Sequence, residues 1–253
     1  MIGRWLWQYI TGPAPKFAPA IAFTAFVAIF PITIGLVSVL LLIFPREGLP
    51  HAVNRVILQT FPLDTRREIG NLLNAIPRHE KTIVLAAFLA MFWSGSALFS
   101  TLGGALNAIQ GTPGRNVLRQ RLIGLRTIVV LLAAIVLMIL LESVGDNLPH
   151  ALWVGALLAG APLMMLVGFI YSVAPNNDRR RRDVIPGAVL ATVGIEVVTL
   201  AFPLYGRVVA STSIYGRGLA LALVLLFWLY LVSHVVLLGA SFNQIRHDDR
   251  SHA

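Results

Sequence analysis

Six stretches of this 253-residue chain run for 20 residues or more almost free of charge, and that spacing decides which solvent the chain can fold in. They cover residues 17–44, 82–111, 122–141, 151–174, 184–206 and 218–242, with lengths of 28, 30, 20, 24, 23 and 25 residues, and only Arg126, Glu196 and His234 interrupt them. A bilayer crossing needs about 20 apolar residues, and an ionised group at its centre costs several kcal/mol. The spacing therefore predicts six transmembrane helices. Barrel strands alternate over about 10 residues, whereas these runs are continuously apolar over at least twice that length. Composition agrees: 57% of the residues are hydrophobic and 12% charged, with a mean hydropathy of +0.79. A soluble domain carries about a quarter charged residues to cover its surface. No cysteine is present, which excludes disulfides, thiolate metal sites and cysteine nucleophiles.

The net charge of +9 is explained by where it sits. With both termini cytoplasmic, the inner segments carry 12 of the 20 lysines and arginines: Arg4, Lys16, Arg115, Arg119, Arg121, Arg126, Arg179, Arg180, Arg181, Arg182, Arg246 and Arg250. The long first outer loop carries six, offset by Glu47, Asp64, Glu68 and Glu80. This is the positive-inside pattern, so a basic run beside a span reads as a topology signal meeting anionic headgroups, and nucleic acid is not expected as a partner. The first run begins too late and runs too long for a cleavable signal peptide, and Trp5, Trp7 and Tyr9 beside Arg4 read as an interfacial anchor. Pro31 is expected to bend the first span, and the second is expected to emerge around Asn107.

The outer loop, residues 45–81, has a pattern of its own. Thr65 with Glu68 makes a capping box, followed by Ile69, Leu72, Leu73 and Ile76 at helical spacing before Pro77. Ala52, Val53, Val56 and Ile57 form a shorter stripe. Two short amphipathic helices are expected here, as a lid on the outer helix ends or as a docking surface for an envelope partner.

Signatures of catalysis are sparse. The chain contains no phosphate-binding loop, no His-Glu-x-x-His and no nucleophile elbow, and its six histidines are scattered. Neither a cofactor nor a metal is expected. Two intramembrane groups stand out. Glu196 aligns with Thr192, Thr199 and Pro203 along the fifth span, and His234 shares a face with Tyr230 and Ser241 on the sixth. A carboxyl group in hydrocarbon is protonated, paired or open to a polar cavity. Glu196 and His234 thus read either as interhelical glue or as the lining of a site for a headgroup, ion or proton. In the second span Ser96, Ser100, Gly104 and Asn107 form a small-residue ridge suited to close helix approach. The end of that span, Gly103-Gly104-Ala105-Leu106-Asn107-Ala108-Ile109, also matches Gly239-Ala240-Ser241-Phe242-Asn243-Gln244-Ile245 at Gly, Asn and Ile, by coincidence, by shared capping or by duplication of a hairpin.

Several ordered stretches resemble the YihY/virulence factor BrkB family, once labelled ribonuclease BN. They are Phe23 to Pro31, Trp93-Ser94-x-Ser96-x-x-Phe99 leading to Ala105-Leu106-Asn107-x-Ile109, Arg119-x-Arg121-Leu122, Ala174-Pro175-Asn176, Arg182-Asp183-x-x-Pro186-Gly187-Ala188, Tyr215-Gly216, Leu226-x-Trp228-Leu229-Tyr230 and Gly239-Ala240-x-x-Asn243. The chain departs from the family pattern where Ser241 replaces a glutamate, Ala174 a leucine and Arg181 a tryptophan. The resemblance implies a bacterial inner-membrane protein of six spans with a role in envelope integrity, in moving or organising lipids. No set of positioned acids and bases supports the ribonuclease label.

Together these readings describe an all-α integral membrane protein, a single polytopic domain over residues 1–253 that binds or moves a lipid or related amphiphile without catalysing a reaction. The expected site comprises Glu196, His234, Tyr230, Thr192, Thr199, Asn107, Ser96 and Ser100, with Arg179, Arg180, Arg181 and Arg182 holding anionic headgroups and membrane lipids as the partner. A scaffold that docks an envelope protein through residues 45–81 is the competing reading.

Overall fold

A computed structural model describes residues 2–43, 81–114, 116–145, 152–176, 181–212 and 217–251. Among these residues every regular element is helical: α1 Ile2–Thr11, a 3-10 turn Ala14–Phe17, α2 Ala18–Ile43, α3 Lys81–Gln110, α4 Val117–Gly145, α5 Leu152–Val173, α6 Arg181–Thr212 and α7 Arg217–Ser251. Helices α2 to α7 coincide with the six apolar runs. Four described stretches are long and apolar enough to cross a membrane: Ala14–Gly35, Phe88–Gln110, Asp183–Phe202 and Ala222–Arg250. A shorter apolar stretch, Gly160–Val173, lies in α5. Helix α2 continues through Pro31 without a break. The amphipathic pattern of the outer loop lies outside the described residues.

The outer faces of the helices are apolar, and several small polar groups lie inside. Phe23, Val27, Phe30 and Ile34 on α2, and Val189, Val193, Val197 and Leu200 on α6, are exposed apolar residues at helical spacing. Ser96, Asn107, Thr127, Thr192, Ser233, Ser241 and Asn243 are buried. Hydrocarbon outside and small or polar groups inside is the arrangement that lipid favours, since helices there associate through close packing and hydrogen bonds.

The chain groups into two units, residues 29–94 and the remainder. In the first, Gly35 lies so close to α3 that a Cβ there would come within 2.6 Å of Met91, which is fully buried. Phe88 and Phe92 meet edge to face one turn apart on the same helix, with ring centroids 4.4 Å apart.

In the larger unit the tightest contact is between α6 and α7. A Cβ on Gly239 would come within 2.5 Å of the Gly187 carbonyl oxygen and 2.7 Å of the Tyr171 hydroxyl, and one on Gly187 would overlap Asn243. Gly194 packs on Val235 in the same way, so rising numbers on α6 meet falling numbers on α7 and the pair is antiparallel. Asn243 closes the joint: its Oδ1 accepts the Gly187 amide at 2.7 Å and its Nδ2 donates to the Val184 carbonyl at 3.0 Å. Tyr171 of α5 donates to the Val236 carbonyl at 2.5 Å, bringing a third helix to the junction.

A second joint lies at the end of α3. Gly111 takes φ +64, its amide bonds the Ala108 carbonyl at 3.4 Å, and the Thr112 amide bonds the Asn107 carbonyl at 3.0 Å. This is a Schellman ending, which requires the left-handed conformation that glycine adopts without strain. It ends the helix three residues beyond Asn107, consistent with the emergence expected there. The small-residue ridge packs on α4: a Cβ at Gly124 would come within 3.0 Å of the Ser96 backbone, and Gln120 Nε2 donates to the Ser100 carbonyl at 2.6 Å. The sequence ridge named Gly104, which faces open space. Its neighbour Gly103 makes the contact, against Gln120 and Ala174, because the ridge follows the helix crossing rather than a strict four-residue step.

Candidate functional site

Hydroxyl groups in a span helix ordinarily bond the carbonyl one turn back, which hides them from lipid. Thr24, Thr33, Thr101, Thr127 and Ser233 do this at 2.6 to 3.1 Å. Thr192 does not. It is 8% exposed, and its hydroxyl has no hydrogen-bond partner among the described residues. Its methyl group lies 3.9 Å from where a Cβ of Gly160 would sit, so this face of α6 looks toward α5. Ala188 faces Gly168 on the same side. One turn past Thr192, Glu196 continues this stripe, half-buried and with no hydrogen bond or ion pair to any described residue. Thr199, one turn further, is exposed.

His234 lies on a different surface. Its Nδ1 is 2.6 Å from the Tyr9 hydroxyl, and the ring of Tyr230 stands edge-on to the imidazole with centroids 4.5 Å apart. The hydrogen bond of His234 therefore goes to α1 and not to Glu196. Burial, reinforced by Tyr230, pushes the Tyr9 phenol above its usual range, so the hydroxyl stays protonated, and the imidazole tautomer sets which of the two groups donates. Trp5, one turn earlier on α1, meets Phe242 edge to face at 5.6 Å. This corrects the reading of the leading aromatics as a simple interfacial anchor. Trp7 is 67% exposed as an anchor should be, but Tyr9 is 6% exposed and packs inward. The i, i+4 spacing of Trp5 and Tyr9 was the available signal, but it does not name the helix they face.

The remaining expected residues divide between these regions and the joints. Ser96, Ser100 and Asn107 belong to the α3 packing surface. Asn107 is 3% exposed, and its Oδ1 accepts the Asn176 amide at 2.6 Å and the Thr112 hydroxyl at 3.0 Å. Arg181 and Arg182 open α6, while Arg179 and Arg180 lie outside the described residues. Arg126, the charge near the start of the third apolar run, sits 5.7 Å over the Phe169 ring of α5, a cation–π contact.

The model of the virulence factor BrkB family matches residues 8–253. The chain belongs to this family. It is 26% identical over 251 residues, 94% of its length, to UPF0761 membrane proteins of Xanthomonas campestris pv. campestris and Xanthomonas axonopodis pv. citri, and it spans 59% of their length. A ribonuclease-like protein, YfkH of Bacillus subtilis, is 26% identical over 175 residues, which cover 63% of this chain and 64% of that protein. No solved structure matches. In this BrkB family chain, some of the stretches that carry the resemblance fall on the two joints. Ala174-Pro175-Asn176 meets Asn107, and Pro186-Gly187-Ala188 meets Gly239 and Asn243. Ser241 is 7% exposed beside the second joint.

Proposed function

We propose that this chain is a six-span inner-membrane protein with both termini cytoplasmic, and that it binds or translocates a lipid or related amphiphile without catalysing a reaction. The buried Thr192 hydroxyl carries the reading. It lies one turn from Glu196 within a span and has no partner among the described residues. An orphaned buried hydroxyl costs about 1–3 kcal/mol, and a polar group of a bound amphiphile would satisfy it. The positive charge of Arg179, Arg180, Arg181 and Arg182 would attract anionic headgroups to the cytoplasmic end of the same helix. Six apolar runs and the inner bias of lysine and arginine support the topology. The ribonuclease-like name is that of YfkH and is not carried over to this chain.

The test is lipid redistribution in reconstituted vesicles beside a melting curve for each variant. Glu196→Gln preserves shape but cannot ionise, and it is expected to abolish redistribution while leaving the melting temperature unchanged. Normal redistribution by this variant, with Glu196→Leu less stable by about 1 kcal/mol, would overturn the reading and leave the outer segment, residues 45–81, as a docking surface for an envelope partner.

A further inference from the structure

Helix α1 places a phenol where a ligand would bind. The Tyr9 hydroxyl lies 2.6 Å from His234 Nδ1, its ring is edge-on to the imidazole with centroids 6.0 Å apart, and Tyr230 adds an aromatic wall at 4.5 Å. His234 sits in the middle of the span Ala222–Arg250, where an imidazole nitrogen has little access to water and needs a polar partner. That partner comes from outside the span. α1 precedes the span Ala14–Gly35 and is joined to it through Gly12 and Pro13.

The docked position of α1 is only partly satisfied. The Trp5 indole N–H is buried against α7 with no acceptor among the described residues, although tryptophan N–H groups at a membrane interface find headgroups or water. Leu6, Trp7 and Ile10 form an exposed apolar stripe at helical spacing, so α1 keeps a lipid-facing side wherever it lies in the interface. Gly12 ends α1, its amide bonding the Gln8 carbonyl at 3.0 Å, and Pro13 follows. Docking gains the Tyr9 to His234 hydrogen bond and leaves Trp5 unsatisfied. Undocking reverses both.

We propose that His234 and Tyr230 form an intramembrane hydroxyl-binding site, that Tyr9 is its resident occupant, and that α1 is a latch whose departure opens the site to a lipid-soluble alcohol or phenol. The ligand class follows from the groups present. A ring nitrogen in its accepting tautomer takes an O–H, Tyr230 offers one aromatic face to an apolar body, and no lysine or arginine bonds His234 or Tyr9 among the described residues, so a neutral hydroxyl fits better than a phosphate. The proposal deepens the amphiphile reading and rests on it, but it uses α1 and α7 rather than the Thr192 and Glu196 stripe.

The test uses the full chain in lipid nanodiscs with radiolabelled 4-dodecylphenol, and with its methyl ether, which cannot donate a hydrogen bond. Tyr9→Phe, which keeps the ring and removes the competing hydroxyl, is expected to raise phenol affinity about tenfold and to leave ether binding unchanged. Because the chain has no cysteine, the pair Trp5→Cys and Phe242→Cys provides a unique tether between α1 and α7. Once oxidised it should abolish saturable phenol binding, and reduction should restore it. Equal binding of phenol and ether by Tyr9→Phe, or unchanged phenol binding by the tethered protein, would overturn the proposal. Binding is read directly, so normal redistribution by Glu196→Gln would overturn the α6 reading alone.

Discussion

Two asparagines at matching places in the chain, Asn107 and Asn243, solve the same problem with different completeness. Each follows a glycine by four residues on a helix running toward the same end of the bundle, each is 3% exposed, and each turns its Oδ1 to a backbone amide of another element. Asn243 also donates its Nδ2 to the Val184 carbonyl, so both ends of its amide are used. The Asn107 Nδ2 is buried with no partner among the described residues. The difference follows from what each faces. Asn243 meets a helix whose backbone offers a carbonyl and an amide one turn apart, beside Pro186, which has no N–H to give. Asn107 meets the Asn176 amide and the Thr112 hydroxyl, both of which donate to it, so its acceptor is used twice and its donor not at all among the described residues. A shared sequence pattern therefore marks two joints of the bundle, one a helix crossing and the other a tie between a helix end and a turn.

Substitutions can separate the two joints. The largest effect is expected from Gly187→Ala, because the new methyl group would overlap the Gly239 carbonyl and Asn243, and backbone cannot yield as a side chain can. A loss of about 1–3 kcal/mol, with a lower melting temperature in detergent, is the scale for such overpacking. Gly103→Ala, whose nearest neighbour is the Gln120 side chain at 3.2 Å, should cost clearly less. Equal costs would show that the joints are equally tight.

Next are the asparagines themselves. Asn243→Ala removes two hydrogen bonds and strands the groups they served, for which about 2 kcal/mol is expected. Asn107→Ala removes an acceptor but also an orphaned donor, so about 1 kcal/mol is expected. A larger loss at position 107, measured by the same melting assay, would mean that its Nδ2 is satisfied in the membrane. The smallest effect belongs to the ion pair of Asp183 with Arg250, 3.0 Å long, which links the start of α6 to the end of α7 beside Asn243. Arg250 is 61% exposed, so solvent screens most of the interaction. Asp183→Asn should cost no more than about 0.5 kcal/mol, and the difference should vanish in high salt.

The long helices were legible from the chain because their cause is local. Hydrocarbon thickness sets a length, the cost of intramembrane charge sets the gaps, and the six runs match α2 to α7 at their boundaries within a few residues, apart from extensions at the polar ends of α4, α6 and α7. The ending of α3 was legible near Asn107 for the same reason, since glycine and proline just beyond a helix are punctuation that needs no tertiary contact. Glu196 and His234 also stood out as polar groups in apolar runs, but nothing local could show that they face different helices. A helical wheel gives the angle between residues of one helix, not which neighbour lies in that direction. Gly194 facing Val235 turns Glu196 away from α7, while Tyr9 claims His234 from a helix that reads, taken alone, as a surface anchor.

Hydropathy and charge spacing were enough to establish that this is a helical membrane protein and where its helices run, because each residue's preference for lipid or water acts independently of its distant neighbours. The joints and the polar sites arise only from packing. Tyr9 and His234 are separated by 225 positions, Asn107 and Asn176 by 69, and Asn243 and Gly187 by 56. Hydrogen bonds across such separations depend on the crossing of helices that are already formed, and that crossing is set by where glycines let two backbones touch.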